Sequence, residues 1–335
     1  MRQLLPSIIQ PFTHIVNLSL KTGIMPDLCK IAVVTPIHKG GDPTDPGNYR
    51  PISILPILGK AIEFFVNNQL TQYLEDKGLI CKNQYGFRKD HSTTYLMLDL
   101  FDEIYSSKSK RNCPAIVFLD IKKAFDTVNH KILLAKLKHY GINGVALIWF
   151  QSFLSNRMQK TKVGSKVSQL NRIITGVPQG SILGPVLFCI FINDLPSACK
   201  NSTPYLFADD GALYFKNITR GDYENMKEEL IYVYQWLQAN GLALNNSKTK
   251  FIVFDSHPHL DALLVPVKRD LTLVICEKKS EKYLGLIVDS KLTFYDHIEY
   301  IKKKVAKRIG AMYRSKNLLP LKLQNVCQCS NASPT

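Results

Sequence analysis

Three carboxylates stand where carboxylates are costly. Asp120 closes the apolar run of IVFLDIKKAFD, and Asp209 and Asp210 interrupt LFADDGALYF, with Asp209 89 positions beyond Asp120 (209 minus 120). Acidic side chains set in apolar strands are expensive to bury unless their charge is compensated, and a divalent cation does so. Magnesium prefers hard oxygen ligands and shares one or two protein carboxylates with substrate phosphates, which suits acids that a sheet brings together. Two such ions, roughly 3.5–4 Å apart, activate an attacking hydroxyl and stabilise a leaving oxygen. An aspartate at a strand end also serves as an ordinary turn or cap residue, so the acids alone leave both roles open.

The elements that must position them follow from local patterns. Ala115 to Ile121 is a short apolar run that reads as a buried strand ending at Asp120, and Lys123 to Tyr140 reads as a helix stopped by Gly141. Tyr205 to Ala208 and Ala212 to Phe215 flank Asp209, Asp210 and Gly211, which predicts a hairpin with acids at its tip. Upstream, KGGDPTDPGN predicts a turn between extended segments at Ile31 to His38 and Tyr49 to Leu55, forming a basic hairpin. Helices are predicted from Leu58 to Lys77, with Gly78 as the stop, from Ser92 to Tyr105, and from Asp222 to Asn240 before a strand at Phe251 to Phe254. Strands and helices without regular alternation predict an α+β domain instead of a doubly wound sheet.

Composition narrows the partners. With 335 residues and 45% hydrophobic content the chain can bury a substantial core, and 43 Lys and Arg against 27 Asp and Glu give a net charge of +16. That balance favours a polyanion, either nucleic acid or an acidic membrane surface. Eight cysteines lack both the dense framework of a secreted scaffold and the paired knuckles of a zinc site, and Cys327 with Cys329 reads as incidental. Pro6, Gln10, Pro11 and His14 interrupt the N-terminal apolar residues, and the longest apolar stretch, Ile182 to Ile192, is too short to cross a bilayer. The expectation is an intracellular chain, nuclear or cytoplasmic, without signal peptide or membrane span. Beyond Lys291, an apolar stripe of Ile298, Ile301, Val305, Ile309 and Met312 runs beside Lys302, Lys303, Lys304, Lys307 and Arg308. This basic amphipathic helix is either packed with a solvated outer face or in contact with nucleic acid.

Seven blocks, TPIHKGGDPTDPGNYRPISIL, QYGFRKDHST, AIVFLDIKKAFDTVNH, GVPQGSILGPVLFCIFINDL, YLFADDGALY, GLALNNSKTKFIVF and YLGLIVD, follow one another between about Ile31 and Asp289. In wording and order they resemble the reverse transcriptase domain of non-LTR retrotransposons, the LINE or jockey-like class. The resemblance implies a right-hand polymerase fold with fingers and an antiparallel palm sheet packed on helices, two Mg2+ ions, an RNA template, a DNA primer and deoxynucleoside triphosphates. Asp120 matches the first metal-binding aspartate, with the Ile121 carbonyl beside it. Asp209 matches the second, and Asp210 the third acidic position, which ranks below Asp209. Phe125 resembles the steric gate under the incoming sugar, and otherwise reads as a core phenylalanine on its helix. Lys39 and Arg50 resemble the grip on the triphosphate, a role suited to an ammonium and a forked guanidinium. Gln179 and Gly180 resemble the loop beside nucleotide and template, and Lys248 the general acid that protonates pyrophosphate. Tyr283, Leu284 and Gly285 resemble the primer-grip turn, or form a buried strand ending at a glycine bend.

The expected organisation is an upstream helical extension at 1–29, the reverse transcriptase domain at 30–290, and the start of a thumb with a truncated tail at 291–335. The family's core usually follows an endonuclease and precedes a fuller thumb, and after about Leu323 the tail no longer resembles it. Two functions are therefore carried forward: an RNA-directed DNA polymerase, and a truncated, noncatalytic nucleic-acid-binding remnant of one.

Overall fold

The computed structural model describes residues 5–218, 223–254, 261–268 and 270–315. The chain opens with helix α1 (Leu5–Thr22), which accommodates Pro11, and a 3-10 turn at Asp27–Lys30. Strands β1 (Ile31–His38) and β2 (Tyr49–Ile54) form an antiparallel hairpin in which Ile37 pairs with Arg50 and His38 with Tyr49. Helix α2 (Ile57–Asp76) ends where Gly78 turns to φ +60, a left-handed stop that glycine supplies at little cost. Helix α3 (Thr93–Ser109) is capped by Ser92, whose hydroxyl accepts from the Tyr95 amide at 3.2 Å.

Strand β3 (Ala115–Asp120) is the centre of the molecule. Its odd residues Ala115, Val117 and Leu119 face a core built with helices α4 (His130–His139), α5 (Gly144–Leu154) and α6 (Gly184–Ile192), while Ile116 and Phe118 face a second core under α3. Burial on both faces explains why the run is continuously apolar instead of alternating. Strands β4 (Arg157–Val163), β5 (Lys166–Val167) and β6 (Asn171–Ile173) extend the first sheet, with β4 pairing parallel to β1 in the order β2-β1-β4-β5 and β6 beside β4.

The second sheet has the order β10-β11-β9-β3-β8-β7. It comprises β7 (Thr203–Phe207), β8 (Asp210–Phe215), β9 (Lys250–Val253), β10 (Ala262–Lys268) and β11 (Leu271–Glu277) around β3, with helix α7 (Glu224–Ala239) against β10. A small hairpin of β12 (Ser280–Tyr283) and β13 (Leu286–Asp289) covers the second core, and helix α8 (Tyr295–Ser315) follows.

One predicted helix needs correction. Residues 123–129 are not helical: Lys123 sits at φ +47, a 3-10 turn spans Ala124–Asp126, and α4 starts at His130. The Asn129 side chain accepts from the amides of Lys131 at 2.9 Å and Ile132 at 3.3 Å, so the helix begins where its cap is. Helix α3 runs four residues beyond the predicted end, and the apolar run near 182–192 is the buried helix α6. The apolar stripe of α8 is exposed along Ile298, Ile301, Val305, Ile309 and Met312, so among the described residues the helix is not packed through that face. Asp222, the tail beyond Ser315, and Cys327 with Cys329 lie outside the described residues.

Candidate active site

The acids converge through register. In the antiparallel pairing of β3 with β8, Asp120 lies directly opposite Asp210, and Asp209 occupies the turn between β7 and β8. Like charges placed opposite one another repel. Asp209 is held above the ordinary carboxylate range by burial and by the charge of Asp120, and Asp210 is pushed up to about 6 by burial, Asp209 and Asp120 in that order. The offsetting charge is Arg50, which favours the ionised form of both. Asp210 keeps solvent contact while Asp209 and Asp120 are half-buried, so the cluster reaches solvent.

Such a set fits a divalent cation, which would relieve the repulsion that one arginine only partly offsets. Among the described residues no group of three or more His, Cys, Asp or Glu side chains is placed so that it could hold a metal ion.

The surrounding positions arrive from separate elements. Asn245 donates its amide to the Asp120 carbonyl at 2.8 Å, Lys122 donates to Ala243 at 2.8 Å, and Ile121 bridges Leu244 between them. This tie brings the turn of Lys248, whose amide donates to the Asn245 carbonyl at 3.1 Å, alongside the end of β3, with the Lys248 side chain exposed. Phe125 is on the 3-10 turn and half-buried, its ring stacked on Phe188 of α6 at 4.7 Å between centroids. Phe125 thus packs against the core, but from a 3-10 turn and not from a helix.

Lys39 and Arg50 are exposed at the turn end of the β1–β2 hairpin, where the Lys39 amide donates to the Asn48 carbonyl at 2.8 Å. Arg50 reaches Asp209 and Asp210 with its charge, whereas Lys39 reaches Asp126. Gln179 is joined to the same place: its Nε2 donates to Asp126 Oδ1 at 3.0 Å, and its carbonyl accepts from Ser53 of β2 at 2.6 Å. Gly180, at φ +116, would place a Cβ 2.5 Å from the Ser53 carbonyl, so both conformation and space require glycine. Tyr283, Leu284 and Gly285 close the β12–β13 hairpin, Leu284 and Gly285 both at positive φ. Tyr283 is buried with its ring 5.0 Å from Phe118, and the charge of Asp210 adds to the burial that pushes its hydroxyl pKa up. Both expectations for this segment, a turn and a buried strand end, describe parts of it.

Asp126 was not singled out from the sequence, where it stands six residues after Asp120 with nothing to mark it. Glu63 was missed too. Fully buried on α2, its Oε2 accepts from Ser181 Oγ at 2.5 Å and Ile182 N at 2.7 Å, anchoring the loop of Gln179 and Gly180 to the start of α6. Only a carboxylate at an apolar helical position hinted at it.

A sheet with acids at a strand end and a hairpin turn, beside a basic two-stranded hairpin, has the arrangement of a right-hand polymerase fold. The comparisons sharpen that class. Residues 37–288 match the family described as reverse transcriptase (RNA-dependent DNA polymerase). The chain is 29% identical over 318 residues to the probable RNA-directed DNA polymerase from transposon X-element of Drosophila melanogaster, covering 90% of this chain and 33% of that protein. It is 31% identical over 307 residues to the RNA-directed DNA polymerase from mobile element jockey of the same organism, covering 89% and 33%. The fold is shared with apo telomerase from Candida tropicalis, at a TM-score of 0.55 and 12% identity over 86% of this chain and 53% of that one. The chain belongs to the reverse transcriptase family, within its jockey-like non-LTR group. It spans about a third of the length of the curated relatives it matches.

Proposed function

We propose that this chain is an RNA-directed DNA polymerase, joining a deoxynucleotide to the 3′-hydroxyl of a DNA primer on an RNA template. The observation that carries the reading is the register of β3 and β8, which sets Asp120 against Asp210 beside the turn of Asp209. Two Mg2+ ions held by Asp120, Asp209, Asp210 and the Ile121 carbonyl would lower the pKa of the primer hydroxyl and steady the leaving oxygen. The protein's own share is positioning and charge. Asp209 ranks above Asp210 as a ligand, since side chains of neighbouring residues at a strand end point in different directions and need not contribute equally.

The primer oxygen attacks the α-phosphorus and pyrophosphate departs in line, with Arg50 and Lys39 neutralising the triphosphate. Lys248, in the turn of Asn245 whose amide bonds Asp120, returns a proton to pyrophosphate. Phe125, its ring backed by Phe188, fills the space a 2′-hydroxyl would need. Gln179 and Gly180 line the nucleotide, and the hairpin of Tyr283, Leu284 and Gly285 bears on the primer. Residues 30–290 constitute fingers and palm, residues 1–29 a helical extension, and α8 the start of a thumb. Among the described residues no helix is long and apolar enough to cross a membrane. We place the reaction inside the cell, in nucleus or cytoplasm, in keeping with the thiols of Cys29, Cys81, Cys189, Cys199 and Cys276, which form no disulfide among the described residues.

The test is primer extension on an RNA template with Mg2+, comparing this chain with Asp209→Asn. Extension that requires deoxynucleotides and falls by at least about a thousandfold in the variant is expected. No extension, with salt-sensitive RNA and DNA binding retained in both proteins, would identify a noncatalytic nucleic-acid-binding chain.

A further inference from the structure

The segment around Gln84, within QYGFRKDHST, has no part in the chemistry above, yet it lies against the turn that carries Asp209. The Tyr85 amide donates to the Leu206 carbonyl at 2.8 Å, and the Leu206 amide donates to Asn83 at 2.9 Å. Residues 83–85 thus pair with the outer edge of β7. Gln84 is fully buried, and its Oε1 accepts from the Gly86 amide at 2.8 Å and from the Ala208 amide at 3.1 Å. Ala208 stands at φ +55, a conformation alanine does not choose unaided, and the next residue is Asp209. At Gly86 an added Cβ would lie 2.5 Å from the Ala208 nitrogen, so glycine is what lets the two segments close on each other.

The other end of the carboxamide adds a second observation. Gln84 Nε2 is buried without a hydrogen-bond partner among the described residues. A buried unpaired donor costs stability, so the side chain's contribution comes through its oxygen. A neutral acceptor also suits the place, because a carboxylate would add negative charge near acids that already repel one another.

We propose that Gln84 is a positioning residue for Asp209: its oxygen fixes the Ala208 amide, and with it the left-handed turn from which Asp209 meets Asp120. The proposal rests on the reading of Asp209 as a cation ligand. It assigns Gln84 no contact with substrate or ion.

The experiment uses the whole chain, as wild type, Gln84→Met, Gln84→Glu and Asp209→Asn, with folding checked by circular dichroism. Two quantities are read: hydrogen exchange of the Ala208 amide, and Mn2+ binding followed by electron paramagnetic resonance. Protection of Ala208 in the wild type, its loss in Gln84→Met, and Mn2+ binding weakened roughly ten- to a hundredfold in that variant are expected. Gln84→Glu, which keeps an oxygen in place, retains the protection when measured at a pH low enough for its carboxyl to be protonated and so to add no charge. A wild-type Ala208 amide that exchanges as freely as an unstructured peptide overturns the proposal, as does a folded Gln84→Met protein with unchanged protection and Mn2+ affinity. Should the Met variant not fold, a folded Gln84→Glu protein with an unprotected Ala208 overturns it equally. Equal Mn2+ binding by wild type and Asp209→Asn would defeat the cation reading instead, while Ala208 exchange would still report on the turn.

Discussion

Asp210 gives the acid cluster a signature in stability. Its folded-state pKa of about 6 lies above the unfolded value of 3.8, so the folded protein binds the extra proton between them. The contribution of Asp210 to stability therefore rises as pH falls from 7 toward 5 and declines as pH rises through 6. His130, whose folded-state pKa is lowered by burial, works in the opposite sense, so the cation-free wild type is melted beside Asp210→Asn: the wild type should gain stability relative to the variant as pH falls from 7 to 5.5, and a difference that stays constant contradicts the assignment. Asp126 gives a kinetic signature. Asp126→Ala removes the acceptor that orients the Gln179 amide, and a loss of roughly tenfold in kcat/KM for deoxynucleotide is expected, carried mainly by KM. Steady-state extension at varied nucleotide concentration reads it, and an unchanged KM would make the Asp126–Gln179 link purely structural. Asp120, Asp209 and Asp210 stood out in the sequence because a charge inside an apolar strand breaks a visible pattern, while their roles came from the family resemblance. Asp126, Glu63 and Gln84 were not, since each acts through a partner 53 to 124 positions away that no local pattern announces.

At the scale of elements, the loop from Ile121 to Asn129 governs where Phe125 and Asp126 stand. It holds its shape because the Val177 amide donates to Phe125 at 2.8 Å and the Gly176 amide donates to Val128 at 2.8 Å, and because Asn129 starts α4. Asn129→Ala should cost about 1 kcal/mol of stability through loss of the cap. A chemical denaturation midpoint unchanged by the substitution would show that the cap is not holding the boundary. The sequence predicted a helix from Lys123, whereas Val128 is buried outside α4 and Leu133 and Leu137 are buried on it. The left-handed Lys123 and the Asn129 cap break the predicted helix, and neither leaves an apolar gap. The β1–β2 hairpin, β3 and the β7–β8 hairpin were readable from turn residues and apolar runs. The strands from 157 to 173 were not, since their exposed lysines and polar residues carry little alternation.

Across the whole molecule, the net charge of +16 sets the terms of binding. If six or more phosphates are neutralised, affinity for a primer–template duplex should drop roughly a thousandfold between 50 and 200 mM salt. Lys303→Ala with Lys307→Ala on the exposed face of α8 should reduce the slope of log K against log salt by about 2. Fluorescence anisotropy over a salt series measures both, and an unchanged slope would remove α8 from the nucleic-acid path. The sheet carries a different kind of consequence. Because β3 is packed on both faces, its residues cannot shift by one without exchanging the two cores and turning Asp120 away from Asp210. In the terms of inheritance, an in-frame loss of one codon from Ala115 to Leu119 is therefore a null allele, whereas most single-base substitutions to another apolar residue there are survivable.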